Sequence, residues 1–113
     1  MMVEKRYSDA DLLAAIRNKS TLDSAIRSIY LNYGETISSL ILNNSGTRQD
    51  AEDVLQETVV SFIEMVKKNR FREKSSIKTF LVAIARNIWL NELKKRERSE
   101  YREQLFETSR AEQ

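Results

Sequence analysis

Residues 71–98, FREKSSIKTFLVAIARNIWLNELKKRER, contain a short polar loop, a helix start at Ser75-Ser76, an apolar stripe and a terminal run of cations. Residues 67–98 carry 11 Lys and Arg against 3 Asp and Glu, a net charge of +8. Residues 1–66 carry 6 against 10, net −4, and residues 99–113 carry 2 against 4, net −2. The modest total of +2 therefore conceals a division into acidic and basic parts. Such an asymmetry indicates a polyanionic partner.

The composition favours a single all-α domain. The 113 residues include no Pro and only two Gly, and 41% are hydrophobic, enough to fill one core. Cys and His are absent, which excludes disulfides, thiolate catalysis, conventional zinc sites and imidazole acid–base chemistry. The apolar runs are too short to cross a membrane, and the first residues lack the apolar core of a signal peptide. We expect no membrane insertion and a soluble, cytoplasmic chain.

Capping signals and apolar spacing predict a compact bundle of about four helices. A cap at Ser8 opens a first helix over about 9–18, and a cap at Ser20 opens a second. The second helix continues through Gly34, at a cost of about 1 kcal/mol relative to Ala, because its apolar spacing continues on both sides. The stretch 43–46 ends this helix, and a left-handed residue is expected there at Asn or Gly.

The third and fourth helices carry the clearest apolar stripes. Thr47 caps the third helix, which closes at Lys67-Lys68, and Ser75 or Ser76 caps the fourth. The tail from Ser99 onward is weakly periodic and either continues the fourth helix or frays. The predicted core faces of the two helices comprise Ala51, Val54, Leu55, Thr58, Val59, Phe62, Ile63, Val66, Ile77, Phe80, Leu81, Ile84, Ala85 and Ile88.

The basic segment has two interpretations. Its three aromatic residues, Phe71, Phe80 and Trp89, are ordinary core residues if the cations merely form a solvated helix end. Alternatively, cations pair with phosphate, aromatic or guanidinium faces stack on unpaired bases, and Ser and Asn side chains contact base edges. The clustering of cations after an acidic half-chain favours nucleic acid, and the mixture of side chains suits a single strand.

The third helix carries a cluster of acids, Asp50, Glu52, Asp53 and Glu57. As metal ligands they lack a His partner, and as a catalytic pair they lack an apolar pocket or nucleophile. Carboxylates in the first turns of a helix also interact favourably with its dipole, which explains several of them without any site. However, Asp53, Gln56 and Glu57 share one polar face, which suits docking to a basic protein helix.

The same residues carry a resemblance to a known family. The chain closely resembles region 2 of the extracytoplasmic function sigma factors of bacterial RNA polymerase. The resemblance lies in Asp50–Glu57 (DAEDVLQE), in Phe71-Arg72 with Ser75, and in Thr79–Leu81 followed by Ile84–Asn87 (IARN). Both motifs occur in the family's order and separation, most clearly over about residues 47–98.

The resemblance implies that one domain, residues 1–113, contains two segments with different functions. Residues 47–68 would dock on core RNA polymerase, with Asp53, Gln56 and Glu57 meeting the clamp coiled coil of the largest catalytic subunit. Residues 69–98 would recognise and melt the promoter minus-ten element, capturing an unstacked base of the non-template strand. The DNA-binding residues would be Arg70, Phe71, Arg72, Lys74, Ser75, Ser76, Lys78, Arg86, Asn87, Lys94, Lys95, Arg96 and Arg98.

Binding energy alone would open the promoter, so the resemblance implies no catalytic residue, no metal and no cofactor. It also leads us to expect an anti-sigma factor that covers the docking and DNA faces. Two rival hypotheses remain: a helical protein-binding module that does not touch DNA, and a carboxylate-metal enzyme built on the acids of the third helix.

The chain departs from the family pattern at several positions. Glu73-Lys74 replaces the usual small and acidic loop residues, Phe80 stands where Trp is common, and Ala83 where a polar or basic residue is frequent. These departures leave the general role of the segment unchanged and bear on which DNA base it prefers. The family's second domain, a helix-turn-helix that contacts the minus-thirty-five element, has no place in 113 residues. We therefore expect an excised domain more than a naturally short family member.

Overall fold

The computed structural model describes residues 7–71 and 74–111 of the chain, in which four helices follow one another. They are α1 (Asp9–Arg17), α2 (Leu22–Leu42), α3 (Arg48–Lys67) and α4 (Ile77–Ala111). The described residues contain no β-strand. The prediction of an all-α bundle of about four helices is confirmed. Gly34 does lie inside an unbroken α2, as its apolar spacing predicts.

Side-chain caps start three of the helices where the sequence predicts them. The Oγ of Ser8 accepts a hydrogen bond from the backbone N–H of Asp11 at 3.1 Å. Thr47 and Asp50 form a reciprocal capping box, in which each side chain accepts from the other residue's backbone N–H. Ser76, the second of the two predicted positions, accepts from the N–H of Thr79 at 3.1 Å and caps α4.

The predicted cap of α2 is wrong. Thr21, and not Ser20, occupies the position before the helix, and it makes no side-chain cap. Ser20 lies one residue before that position, where its backbone N–H and its hydroxyl both donate to Oδ1 of Asn18, at 3.0 and 2.9 Å. The hydroxyl of Thr21 donates instead to the carbonyl of Ala15 at 2.8 Å, which ties the new helix to the end of α1.

The corner between α2 and α3 also differs from the prediction. Its left-handed residue is Ser45, with φ of 71°, and neither described glycine has a positive φ. Gly46 serves a different purpose, since a Cβ there would lie 2.8 Å from the carbonyl oxygen of Ile41 and 3.1 Å from Trp89 Cζ2. The lack of a side chain at Gly46 therefore lets the corner approach α4 closely.

The core lies where α2 and α3 meet, with α1 packed against both and α4 closing the remaining side. Phe62 is completely buried near its centre, and the rings of Phe71 and Phe80 pack against it with centroids 5.6 and 6.0 Å away. The buried apolar residues are Leu12, Leu13, Ala15, Ile16, Ala25, Ile29, Ile37, Ile41, Ala51, Val54, Val59, Phe62, Val66, Phe71, Ile77, Leu81, Ala85 and Trp89.

Beyond the core, α4 continues as a helix, which answers the question that the sequence left open about the tail. Every described side chain from Lys94 to Thr108 is exposed, including Tyr101, Leu105 and Phe106. Among the described residues, no helix is both long enough and apolar enough to span a membrane.

Candidate protein and nucleic-acid interface

The acidic face of α3 is exposed along its length. Asp53, Gln56 and Glu57 all face solvent, while Val54 and Thr58 on the opposite side are buried. Oδ1 of Asp53 accepts a hydrogen bond from Nε2 of Gln49 at 2.9 Å, one turn earlier. The three predicted docking residues are thus brought together on one surface of a helix that is anchored by its buried face.

Asp50 stands at the start of this face but points to α4. Arg96 donates to both of its carboxylate oxygens, from Nη2 to Oδ1 at 2.7 Å and from Nη1 to Oδ2 at 3.3 Å. Nε of Arg96 donates to Glu92 at 3.0 Å, and the guanidinium lies 5.2 Å from the centroid of the Trp89 ring. Planar, bidentate pairing of this kind is the strong form of an ion pair.

Arg96 therefore does not have the free side chain that the sequence predicts for a DNA-contacting cation. Its partner Asp50 is 46 residues away, so helical spacing gives no sign of the pair. The local feature that indicates an ion pair for Arg96 is Glu92, which lies one turn earlier on the same helix. The pair joins α3 to the basic end of α4, and Asp53 and Glu57 line a small groove of about 160 Å³ beside it.

The Asp50–Arg96 ion pair makes the free energy of unfolding depend on pH. The hydrogen bonds from Arg96, followed by that from the Thr47 backbone, hold the pKa of Asp50 well below its usual range. A lowered folded-state pKa stabilises the protein above the unfolded pKa, near 4, and this contribution falls as the pH drops below that value. We expect Asp50→Asn to lower the urea midpoint at neutral pH, and by a smaller amount at about pH 3.

Glu52→Gln is the matched control, because it removes an exposed carboxylate from the same turn of α3. Its effect on the urea midpoint should be small at both pH values. If the loss caused by Asp50→Asn were the same at neutral and acidic pH, the Asp50 carboxylate would not be held by Arg96 in solution.

The other predicted DNA contacts on α4 have exposed side chains. Lys78, Arg86 and Lys95 are exposed, and so are the remaining predicted positions, Asn87, Lys94 and Arg98. Residues seven and eleven positions after Asn87 return to nearly the same side of an α-helix, so Asn87, Lys94 and Arg98 form one stripe about 16 Å long. This stripe, called the basic stripe below, faces away from the buried residues Ala85 and Trp89.

The loop before α4 is built on its own core residue. Phe71 is only 8% exposed, and its ring packs edge-on against Phe80 with centroids 4.8 Å apart. Phe71 therefore lies beneath the loop and not on the stacking surface that the sequence predicts, because Phe62 and Phe80 offer it an aromatic pocket. Arg70, Lys74, Ser75 and Ser76 are exposed around it, whereas the predicted contact Arg72 lies outside the described residues.

A long-range hydrogen bond that no sequence pattern predicts holds this loop against α1. Oδ2 of Asp9 accepts a hydrogen bond from the backbone N–H of Ile77 at 3.0 Å, across 68 residues of chain. The first residue of α1 thereby satisfies a free donor at the start of α4. An open cavity of about 390 Å³ lies at this junction, and it is lined by Asp9, Ala10, Leu13, Phe71, Ser75 and Ser76.

The acids of α3 do not converge on a metal site. Within residues 7–71 and 74–111, no group of three or more acidic side chains could hold a metal ion. Asp50 is engaged by Arg96, and Asp53 is bonded to Gln49. These contacts give the carboxylates structural partners, so nothing here favours the carboxylate-metal enzyme.

Helical packing thus places an exposed acidic face on α3 and an exposed basic stripe on α4 of the same domain. A family model for sigma-70 region 2 matches residues 29–99, from within α2 to the end of the basic stripe. The chain belongs to the sigma-70 region 2 family, whose members are transcription initiation factors that bind RNA polymerase and recognise promoters. Neither curated proteins nor solved structures gave a match.

Proposed function

We propose that this chain is the promoter-opening domain of an extracytoplasmic function sigma factor. In this proposal α3 docks on the clamp coiled coil of the largest polymerase subunit through Asp53, Gln56 and Glu57. Residues 69–98 hold the non-template strand of the minus-ten element as it separates. The supporting observation is that the acidic face of α3 and the basic stripe of α4 are exposed on two helices joined by a shared core.

The docking step rests on charge and geometry. A rigid helix that exposes two carboxylates and an amide on one face is complementary to a basic helix of a partner, and opposite charges steer the encounter. The capping box at Thr47 and Asp50 fixes the start of α3. The buried residues Val54 and Thr58 fix its rotation, so the acidic face is presented without rearrangement.

The DNA step rests on the basic stripe and the loop. Lys94 and Arg98 supply phosphate contacts that position the strand, whereas the Asn87 amide can donate to and accept from a base edge. Lys74 and Lys78 add positive charge at the loop and at the start of α4, and Arg86 adds it further along the helix. Extruding a base costs a few kcal/mol, and contacts to the extruded base offset this cost, so strand separation needs no chemical step.

The same proposal covers how the protein is regulated and where in the cell it acts. An anti-sigma factor that covered the acidic face and the basic stripe would block polymerase and DNA together. The place of action would be the cytoplasm, where polymerase and promoter DNA are found. A second domain for the minus-thirty-five element would supply the remaining promoter contact in the complete initiation factor.

The test is fluorescence anisotropy at low salt with labelled single-stranded and duplex oligonucleotides. We expect the wild-type domain to prefer the single strand and Asn87→Ala to weaken binding about tenfold, as the loss of a base contact does. Lys94→Ala should weaken binding to all sequences and reduce the salt dependence by about one phosphate contact.

Gln104→Ala is the control, because it removes an exposed amide from the same helix beyond the basic stripe. It should bind like the wild type. A domain that bound no oligonucleotide, yet still bound polymerase, would support the rival protein-binding module and contradict the DNA half of the proposal.

A further inference from the structure

The exposed charges of α4 are sorted by side, and the sorting continues beyond the end of the basic stripe. An α-helix has 3.6 residues per turn, so successive residues differ by about 100° around its axis. By this spacing the exposed cations from Lys94 to Arg102, apart from Arg96, lie on the same side as two asparagines, within an arc of about 100°. This side, called the basic arc below, comprises Asn87, Asn91, Lys94, Lys95, Arg98 and Arg102.

The acids of the same segment centre on the opposite side of the helix. They recur at every third or fourth position and all are exposed: Glu97, Glu100, Glu103 and Glu107. Arg96 also points to this side, where it is bonded to Glu92 and Asp50. The last part of α4 therefore presents a basic side to solvent, although residues 99–113 as a whole carry a net charge of −2.

The chemistry of the basic arc suits duplex DNA. From Asn87 to Arg102 the helix rises about 22 Å, which equals the length of about six base pairs. The arc consists of amides, ammonium groups and guanidinium groups, which donate hydrogen bonds to phosphates. It includes no aromatic ring, the group on which the bases of a single strand stack. A row of donors on a rigid helix matches the regular phosphates of a duplex, so little order has to be created on binding.

We propose that the end of α4 binds duplex DNA, and that Arg102 contacts a phosphate of the base pairs that adjoin the opened segment. The inference rests on the proposed function, in which the loop and the first part of α4 hold the separated strand. It adds a contact to the paired DNA beside that strand. The family match ends at residue 99, so Arg102 lies beyond the segment that the family model covers.

Arg102→Gln and Gln104→Glu form a matched pair of variants. Each changes the net charge by −1 at an exposed position of α4, and the two positions are two residues apart. Only the first alters the basic arc, because Gln104 lies on the acidic side of the helix.

A third variant, with two alanines inserted after Ser99, keeps every charge and turns Arg102 by about 200° around the helix axis. Alanine favours the helix, and the described side chains around the insertion are exposed. All three variants should therefore melt close to the wild-type temperature.

The probes are a labelled single strand and two junctions, in which the same strand continues into about ten base pairs at its 5′ or its 3′ end. Anisotropy is measured at several salt concentrations. We expect the wild type to bind one junction at least about fivefold more tightly than the single strand. In Arg102→Gln this advantage should fall about threefold, and the salt dependence of junction binding should decrease by about one duplex phosphate, a slope of about 0.9. The alanine insertion should reduce the advantage at least as much, and Gln104→Glu should retain it.

The outcomes separate the inference from the proposed function. Equal binding of the single strand and both junctions by the wild type would overturn the inference and leave single-strand binding intact. An unchanged advantage in Arg102→Gln, or the same loss in Gln104→Glu, would also overturn it. Equal weakening of all three probes by Arg102→Gln would assign Arg102 to the single strand and not to the duplex. Absence of binding to every probe would overturn the function and the inference together.

Discussion

Trp89→Ala is expected to lower the free energy of unfolding by about 3–5 kcal/mol. Trp89 is only 3% exposed, and its Nε1 donates to the carbonyl oxygen of Asn44 at 2.8 Å. The substitution leaves a cavity, leaves that carbonyl unpaired and removes the ring beneath Arg96. Since a domain of this size is stable by only about 5–15 kcal/mol, the loss is a large part of the total.

Trp89→Phe separates the contribution of the buried ring from that of the hydrogen bond, because it keeps an aromatic ring and removes the N–H donor. We expect a smaller loss of about 1–2 kcal/mol, the cost of a deleted partly buried hydrogen bond with some repacking. Urea unfolding should be followed by circular dichroism, since Trp89 is the chain's only tryptophan. A loss below about 1 kcal/mol for Trp89→Ala would contradict the assigned packing of α4 on the α2–α3 corner.

Gly46→Ala is expected to destabilise the protein by about 1–3 kcal/mol, although its backbone conformation suits any residue. The added Cβ would meet the Cγ2 of Ile41 and lie 2.8 Å from the Ile41 carbonyl oxygen. That carbonyl cannot move freely, because it accepts from the N–H groups of Gly46 and Asn44 at 2.9 and 3.1 Å. The corner must therefore shift away from Trp89.

Gly34→Ala is the matched comparison and should have the opposite sign. Gly34 is buried within α2, but a Cβ there would lie 3.5 Å from Leu55 Cδ2, an ordinary contact. Replacing a glycine inside a helix with alanine stabilises by about 0.5–1 kcal/mol. Thermal unfolding of both variants measures the two effects. Equal destabilisation by the two changes would show that the α2–α3 corner is not packed more tightly at Gly46 than α2 is at Gly34.

Local physical chemistry explains why the helices could be predicted. The apolar spacing of α3 and the reciprocal cap at Thr47 and Asp50 act over a few residues, so both were visible in the sequence and both are found. The predicted cap at Ser20 was wrong because α2 begins one residue later, at Leu22 after Thr21, and the Ser20 hydroxyl donates to the Asn18 side chain. Such competition between short polar side chains is not resolved by spacing alone.

The candidate site was less predictable because its decisive contacts join distant segments. Asp50 pairs with Arg96 across 46 residues, Trp89 bonds to Asn44 across 45, and Asp9 caps Ile77 across 68. None of these has a periodic signature. The family resemblance implied that Phe71 and Arg96 contact DNA. In the structure Phe71 packs on Phe62 and Phe80 and Arg96 pairs with Asp50, contacts that only tertiary packing decides.

In the proposed function, one domain couples polymerase docking to capture of a single strand. The most direct measurement is the anisotropy of a labelled single-stranded oligonucleotide pool, titrated with the domain in the absence and presence of core RNA polymerase. We expect polymerase to tighten binding at least about tenfold, since a second set of contacts acts at high effective concentration. Glu57→Arg should remove this gain without changing the binding measured in the absence of polymerase.

Glu35→Arg is the control, because it makes the same charge reversal at an exposed site on α2. It should retain the polymerase-dependent gain. We expect loss of the gain in Glu57→Arg alone. Equal gains in the wild type and Glu57→Arg, or no gain in the wild type, would contradict the claim that α3 docks the domain on polymerase while α4 holds DNA.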